Sequence, residues 1–590
     1  MNQLWSIRSL AVGLVGKMPG VKKPVAFVED AIVPPHNLAA FVSDLQQMLD
    51  RDGFNYAMYG HVDVGCIHVR PALNMQNVED RDKIRPITLE VIELLKKYNG
   101  ILWGEHGKGF RGEFVPETFG PILYPILCKI KALFDPNNRM NPGKLATPDP
   151  QKFALLRIEQ VPMRGQYDQV INQVEQNKFV GAMLCNGNAA CFNQDPNNVM
   201  CPSYKVTKER MHSPKGRATL VKEWLRQKTA KQNETSDNKE RMVAEITMQA
   251  MEGCLGCKGC AGKCPTQVSI PDLRSMFWHD YHKHYKRRNI TQLINGYIEH
   301  LLPYIATFPR IWNFLAKYRL LPAFGLSHFP IFSSAKPLAK ELKRCGVAVY
   351  SGAAIGKIAD NAVVIFADVF TGLLEGKVLF AFIHVAKKLG YTPYVIYPRP
   401  SGKALIVGGF INQFKQNTHI LSELFETIWQ KNIPIVGLEN TVTLMFRDEV
   451  NKFADKFNGK VLTIAEFLAQ NCLQLKNLNI EISSDYCLLP HCTEQAVAPN
   501  EGHLWKSIFS NLGTTLEVSN LGCCGMAGSY GYQKEHQQHT RDLFNLNWRN
   551  HIVNTNVKPL ATGFSCRSQA QYQAGTSIIH PVELISHHLQ

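Results

Sequence analysis

The sequence predicts a multidomain chain of mixed class: an α+β unit over residues 1–148, a chiefly helical unit over 149–335, and a duplicated α/β unit over 336–590. Three observations carry that expectation. A chain of 590 residues exceeds one hydrophobic core and, at about 100–200 residues per domain, divides into three or four units. The run Cys254-Leu255-Gly256-Cys257-Lys258-Gly259-Cys260-Ala261-Gly262-Lys263-Cys264-Pro265 sets four cysteines into a tight loop among helical patterns. Beyond Lys340 short apolar strands alternate with helices, the signature of an α/β layer.

In the first unit, strand-like runs at Phe54–Tyr59 and Ile67–Val69 are followed by a helix at Arg81–Tyr98 with Ile84, Ile87, Val91, Leu94 and Leu95 on one face. The turn-rich Phe134–Lys144 closes it. Between the strands, Gly60-His61-Val62-Asp63-Val64-Gly65-Cys66-Ile67-His68 places two imidazoles equally far from a turn midpoint, so a hairpin would set His61 across from His68. Gly104-Glu105-His106-Gly107-Lys108-Gly109 adds a carboxylate and an imidazole with room beside them. Two neutral histidines and one glutamate are the usual ligands of an open divalent-metal site, zinc for example. A lone histidine is more often a satisfied core or surface imidazole. The combination favours a site.

In the second unit, CxxCxxCxxxCP is the spacing that wraps Cys254, Cys257 and Cys260 around a cubane [4Fe-4S] cluster. Zinc sites usually take two cysteine or histidine pairs across a longer spacer, which makes a zinc knuckle the weaker reading. Cys185, Cys191 and Cys201-Pro202 precede the loop. In two-cluster ferredoxin domains the cysteine before proline completes the other motif's cluster. Two assignments therefore stand: Cys264 closes the secure cluster, or Cys201 closes it and Cys264 joins Cys185 and Cys191 in a second set that is one ligand short. The polar stretch Gln227–Arg241 reads as an exposed loop or helix extension, and Phe277–Leu321 as an amphipathic helical pair. A three-histidine metal site at His279, His282 and His284 is the weaker alternative there, and an interfacial membrane contact, which would suit delivery of electrons to a quinone, is another.

In the third unit, strands are expected at Val347–Tyr350, Val363–Phe366, Tyr394–Tyr397, Ile433–Val436 and Tyr486–Leu489, with helices at Leu374–Lys388, Leu421–Gln430 and Ala465–Gln470. Two halves of similar length suggest duplication. The second half carries Cys492, Cys523-Cys524-Gly525 and Cys566, which suit a shared metal or cluster better than a local disulfide, with inert buried thiols as the alternative. The first half has Asp368 and Gly408-Gly409-Phe410 in place of cysteines and reads as structural.

Sixteen cysteines without a secretory opening pattern point to a reducing, cytoplasmic setting and metal-ligating thiolates. The most apolar stretch, 362–385, is interrupted by Asp368, Glu375, Lys377 and His384, so no membrane span is expected, and a peripheral place at the inner membrane face is the second expectation. The net charge of +16 fits a solvated basic exterior, an anionic lipid surface or nucleic acid; no nucleic-acid module accompanies it, and no specific nucleic-acid partner is expected.

Gly60–Pro71, Trp103–Arg111 and Phe134–Lys144 resemble the substrate-side, C-terminal half of the FAD-linked oxidases that act on D-2-hydroxy acids, the group containing D-lactate, glycolate and D-2-hydroxyglutarate dehydrogenases. The order of the three units most resembles the large bacterial D-2-hydroxyglutarate dehydrogenases, in which a flavin oxidase is fused to ferredoxin-type and CCG-type cysteine-rich domains. The resemblance implies that His61, His68 and Glu105 hold a divalent metal that chelates the substrate. His106 would take the hydroxyl proton as hydride leaves for FAD, and Lys108 and Arg111, otherwise solvated surface charges, would anchor a second carboxylate. The turn Asp63-Val64-Gly65-Cys66 departs from the commoner Gly-Asp-Gly-Asn of that family. The chain reaches the substrate half soon after Met1 with no glycine-rich phosphate loop before it, so either a separate flavin-domain polypeptide or a truncated product is expected. Homo-oligomers are expected. The competing reading is an iron–sulfur electron-transfer subunit, heterodisulfide-reductase-like, without dehydrogenase activity of its own; an iron–sulfur DNA-repair protein is a third.

Overall fold

Alternating and helical apolar patterns both find their partners in the computed structural model, which describes residues 18, 20–160, 162, 165–230, 234–317, 326–332, 338–350, 358–478, 480, 482, 484–553 and 557–589. They form two compact units, Met1–Lys178 and Phe179–Gln590.

The first unit is built on a wholly antiparallel sheet. Its central strand β4 (Cys66–Leu73) pairs along one edge with β3 (Tyr56–His61) and along the other with the short β1 (Lys23–Pro24) and β2 (Ala31–Ile32). Helices α1 (Leu38–Arg51) and α2 (Ile84–Lys97) supply Phe41, Leu45, Leu49, Val91 and Leu95 to the same core as Ile67, Val69 and Leu73. The expected helix over Arg81–Tyr98 is divided: Val78–Asp82 forms a turn capped by the Asn77 side chain, and α2 begins at Ile84. A third helix, α3 (Val115–Phe134), bends at Gly120, whose φ of 69° no other residue adopts easily, and ends in the Asp135 turn. There Lys131, and the amides of Arg139 and Met140 at 2.8 Å each, hold the Asp135 carboxyl down at about 2.

The second unit opens with helices. Helices α4 (Pro214–Thr229) and α5 (Glu234–Glu252) resolve the polar stretch as helix on both sides of residues 231–233, which lie outside the described residues. They are followed by α6 (Ile270–His284), α7 (Ile290–Ile305) and α8 (Pro309–Lys317). Buried Arg217 of α4 ties this layer together, donating to Ala250 O at 2.7 Å and Ser203 Oγ at 3.0 Å.

Two parallel sheets complete the unit. One has the order β5-β7-β6-β8-β9 (Ala348–Tyr350, Thr392–Arg399, Ala362–Asp368, Ile435–Gly437, Val461–Leu462), the other β11-β10-β12 (Leu516–Val518, Tyr486–Leu489, Lys558–Ala561). The core order β7-β6-β8 repeats in β11-β10-β12, in keeping with the duplication read from the sequence. Strand β6 is buried at every position, as a continuous apolar run in a parallel sheet should be. After β6 the sequence reads as one helix over Leu374–Lys388; instead α9 (Val369–Leu374) is capped by Asp368 and α10 (Gly376–Lys388) restarts at a glycine. The helix placed at Leu421–Gln430 begins ten residues earlier, as α11 (Ile411–Trp429), because its first turns bury Phe414 and Thr418 among polar neighbours that mask the period. One core joins the two sheets, with Ile365 and Val436 of the first and Leu488 and Leu560 of the second. At the strands' carboxyl ends, Glu439 Oε2 accepts the Phe564 amide at 2.9 Å and Asn440 donates to Glu494.

Glu501 lies beneath this seam, receiving the Thr463 hydroxyl at 2.9 Å, and burial pushes its carboxyl up to about 8. The folded protein keeps a proton that the unfolded chain releases near pH 4.3, so this contribution to stability is complete in acid and is lost as pH rises through about 8. Thermal melts should show wild type losing stability between about pH 5 and 8, and Glu501→Gln, with no proton to lose, gaining ~1–3 kcal/mol relative to it at the alkaline end. Parallel pH profiles of the two proteins would refute this.

Candidate functional site

The first candidate centre is made by the β3–β4 hairpin and the loop after Ile101. The hairpin register pairs His61 with Cys66 and Tyr59 with His68, so the two histidines lie diagonally and not directly across as the sequence suggested. A short helical turn, Val62–Val64, closed by Gly65 at φ 75°, absorbs the two residues that shift the midpoint. The rings still meet, with centroids 5.6 Å apart and planes at 89°. Both point at one carboxylate oxygen: Glu105 Oε1 is 2.8 Å from His68 Nε2, 3.3 Å from His61 Nε2 and 3.7 Å from His106 Nε2. The His106 ring stacks on His68, with centroids 5.0 Å apart. His68 is 3% exposed and Glu105 42%, so the cluster has a buried floor and an open rim.

Two acidic residues that carried no sequence signal hold this arrangement. Asp30, at φ 78° and fully buried, accepts the Glu105 amide on Oδ1 and the His106 amide on Oδ2, both at 2.9 Å. Glu29 Oε1 lies 3.3 Å from His106 Nδ1 while its other oxygen takes Arg70. Glu29 and Asp30 precede a two-residue strand in irregular chain, where no periodicity marks them. Asp30, Cys66, His68 and Glu105 offer ligand atoms within 4.8 Å of one another, as do Glu29, His68 and His106. Burial, with Asp30 and Glu105 beside it, pushes the Cys66 thiol up to about 12, so it contributes a neutral S–H. The buried His68 Nδ1 has no hydrogen-bond partner. Arg111 donates to Glu29 O, and Lys108 Nζ lies 5.0 Å from the Trp103 ring centre.

The remaining candidates are cysteines of the second unit. Cys201 lies within electrostatic reach of Cys254, and Cys260 within that of Cys254, Cys201 and Cys264. Cys191 feels Cys201, Cys185 and Cys264. Cys201 takes φ 26°, a strained value that turns its thiol toward Arg217 NH1, 3.7 Å away. Gly259 allows the loop to pass against Val199 O, 2.1 Å from where a Cβ would stand. Sulfur accepts amides at 3.4 Å from Ile270 on Cys260 and from Lys215 on Cys191.

The carboxyl ends of β10, β11 and β12 bring the other four together. Cys492 opens α12 (Cys492–Val497) with His491 as its cap, and Cys566 sits in the first turn of α13 (Phe564–Ala574). Thiol contacts run from Cys492 to Cys523 at 4.0 Å, then to Cys524 and Cys566. Gly525 has φ 92°, and a Cβ there would meet Thr540 O at 2.7 Å, so this turn demands glycine. Trp548 Nε1 pins its other side through Gly522 O at 3.1 Å. Leu255, Cys492, Cys523 and Tyr530 form one buried group with Cys257 against it, so the two cysteine centres adjoin. His279, His282 and His284 follow one another along α6, and no metal-ligand group of the described residues includes them.

The hairpin, its three imidazoles and the shared carboxylate all fall in the segment that comparison with known families singles out. Residues 1–145 match the family of FAD linked oxidases, C-terminal domain. The matched segment thus contains the whole first centre. Over the full chain, the D-2-hydroxyglutarate dehydrogenase of Pseudomonas putida is 36% identical across 624 residues, covering 100% of this chain and 61% of the relative. That of Escherichia coli is 33% identical across 622 residues, covering 99% and 61%. A D-lactate dehydrogenase of Archaeoglobus fulgidus is 30% identical across 126 residues, 21% of this chain and 28% of its own. The chain spans 61% of the length of the D-2-hydroxyglutarate dehydrogenases it matches. Among the described residues no helix is long and apolar enough to cross a membrane.

Proposed function

We propose that the chain supplies the substrate-binding and electron-transfer portion of a flavin-dependent D-2-hydroxy-acid dehydrogenase, with 2-hydroxyglutarate or lactate as the substrate class. The observation that carries the reading is the convergence of His61, His68 and His106 on Glu105 Oε1. Three imidazoles around one carboxylate oxygen, one of them buried, are a donor set that suits a divalent cation. His61, His68 and Glu105 would hold the ion. Bound there, a divalent ion such as zinc supplies a Lewis acid that makes a 2-hydroxyl group more acidic. FAD on a flavin-binding partner would supply the hydride acceptor.

The chain's own residues do the rest. Glu29 Oε1 faces His106 Nδ1, which keeps the proton on that nitrogen and leaves Nε2 free to take the hydroxyl proton. Asp30 fixes the backbone from which Glu105 and His106 project. Lys108 stands at the rim as a candidate anchor for a second carboxylate; Arg111, tied to Glu29 O, steadies the floor and is the second candidate. In this reading Cys201, Cys254, Cys257 and Cys260 hold a [4Fe-4S] cluster in a ferredoxin-type domain, and the quartet Cys492, Cys523, Cys524 and Cys566 a second metal or cluster in a CCG-type domain. Burial pushes the Cys257 and Cys260 thiols up, which keeps them protonated, and iron is what would make thiolates of them. Cys185, Cys191 and Cys264 offer three further ligands.

The test is dye reduction by the chain joined to its flavin-binding partner, with D-2-hydroxyglutarate, D-lactate and their L forms. Turnover with a D-2-hydroxy acid supports the reading; iron–sulfur absorbance without turnover leaves an electron-transfer subunit in its place. Asp30→Gly, which keeps the left-handed backbone and removes both amide acceptors, should lower divalent-metal affinity by about 10–100-fold with little change in melting temperature. Unchanged affinity would mean that Asp30 has no part in holding the centre.

A further inference from the structure

The outer side of α7 and α8 is apolar, unlike the rest of this basic unit. Leu301 is 39% exposed, Tyr304 76%, Phe308 65% and Ile311 60%; the helical period puts the first two on one face of α7, and Phe308 stands in the turn between α7 and α8. The opposite side is anchored. Ile298 and Leu302 enter the core, Trp312 donates to Pro330 O at 3.3 Å, and Asn313 exchanges hydrogen bonds with the Phe332 backbone at 2.8 and 3.0 Å. The apolar residues therefore point outward by construction, since turning the helices to bury them would break these contacts.

Charge says what covers them. From Tyr281 to Lys340 the sequence has nine lysines and arginines and a single acidic residue, Glu299. That one is withdrawn: it is 2% exposed and accepts the Ser401 hydroxyl at 2.8 Å and the Ala404 amide at 2.7 Å. Lys283, Lys286, Arg287 and Arg310 are exposed, while Arg288 is engaged by Gly408 O and Gly409 O. Exposed apolar side chains on a stretch of chain with nine basic residues and one withdrawn acid, on helices too short to cross a bilayer, are the pattern of a segment that lies in the interface of a negatively charged membrane. A protein partner would as a rule meet such charge with its own carboxylates.

We propose that the α7–α8 face docks on an anionic bilayer surface, with Tyr304, Phe308 and Ile311 entering the headgroup layer and the exposed Lys and Arg residues facing lipid phosphates. The proposal does not depend on which acid is oxidised. Helix α6, whose Arg274 donates to Cys254 O at 2.8 Å, joins the cysteine loop to α7 along the chain.

The full chain should co-sediment with phosphatidylcholine vesicles containing about one third phosphatidylglycerol, and at least about tenfold less with pure phosphatidylcholine. Raising salt from about 0.05 M to 0.5 M should release most of it. Phe308→Asp with Ile311→Asp should cut partitioning about tenfold or more. The pair Lys286→Glu and Arg287→Glu, at exposed positions where folding is not at stake, should cut it comparably and remove most of the salt dependence. Failure to sediment with anionic vesicles, equal sedimentation with neutral ones, or unchanged binding by the charge-reversed pair overturns the proposal. So does a dimer in light scattering that Phe308→Asp dissolves without any vesicle binding, which would assign the face to a second copy of the chain.

Discussion

Glu105→Gln should strip divalent-metal binding from the chain, raising the dissociation constant for zinc about a hundredfold or more in a competition titration. The reason is geometric. A single oxygen, Oε1, is the meeting point of three imidazole nitrogens, so the substitution removes both the negative charge and, in half of the amide's orientations, the acceptor itself. His68→Ala should do the same, because His68 is the buried wall of the cluster and the shortest contact to Glu105. His106→Ala should separate from both: metal content stays, while turnover in the joined enzyme falls by about 10²–10⁴-fold, the usual worth of a positioned proton acceptor. Equal metal loss in all three variants would place His106 among the ligands. Retention of metal by Glu105→Gln would refute the site.

Serine at Cys254, Cys257 or Cys260 should abolish iron-linked absorbance and acid-labile sulfide from one cluster, and serine at Cys201 should do the same although it lies more than fifty residues upstream. Cys264→Ser should spare that cluster and act with Cys185→Ser and Cys191→Ser on a separate spectroscopic signal. This pattern is that of Cys201 closing the loop's cluster and Cys264 joining Cys185 and Cys191; Cys260 feels both Cys201 and Cys264, so the two variants decide. The reverse result, loss on Cys264→Ser and indifference to Cys201→Ser, would mean that the loop closes its own cluster. Variants in the quartet should leave the first cluster's iron in place. Replacing Cys492 or Cys523, which adjoin Cys257, should nevertheless perturb its spectrum more than replacing Cys566.

Much of this was legible in the chain because the signals were local. The strand at Tyr486–Leu489 is found where its apolar run placed it, and the helix expected at Ala465–Gln470 begins one residue earlier, at Ile464, under a Thr463 capping box. Residue spacing gathered His61, His68, Glu105 and His106, and the structure brings all four together. What escaped was set by neighbours distant in sequence. The hairpin register turned on a helical turn at Val62–Val64 that no residue type announces. Glu29 and Asp30 act through contacts to residues more than seventy positions away, and a carboxylate in irregular chain looks the same whether it is solvated or braces a site. The choice between Cys201 and Cys264 could not be read from spacing, since either satisfies it, and in the fold Cys260 lies within electrostatic reach of both.

The paired bonds across the seam of the two parallel sheets bear on how the larger unit comes apart. Glu439, at the exit of β8, secures the first amide of the helix that follows β12, while Asn440 reaches Glu494 on α12. Each half therefore shields polar groups that the other would leave bare in a dry interior, and neither can open alone without stranding a buried carboxylate. Native-state hydrogen exchange at Phe564 should accordingly report the free energy of the entire assembly, and a cut in the connection between β9 and β10 should yield two fragments that recover structure only when mixed.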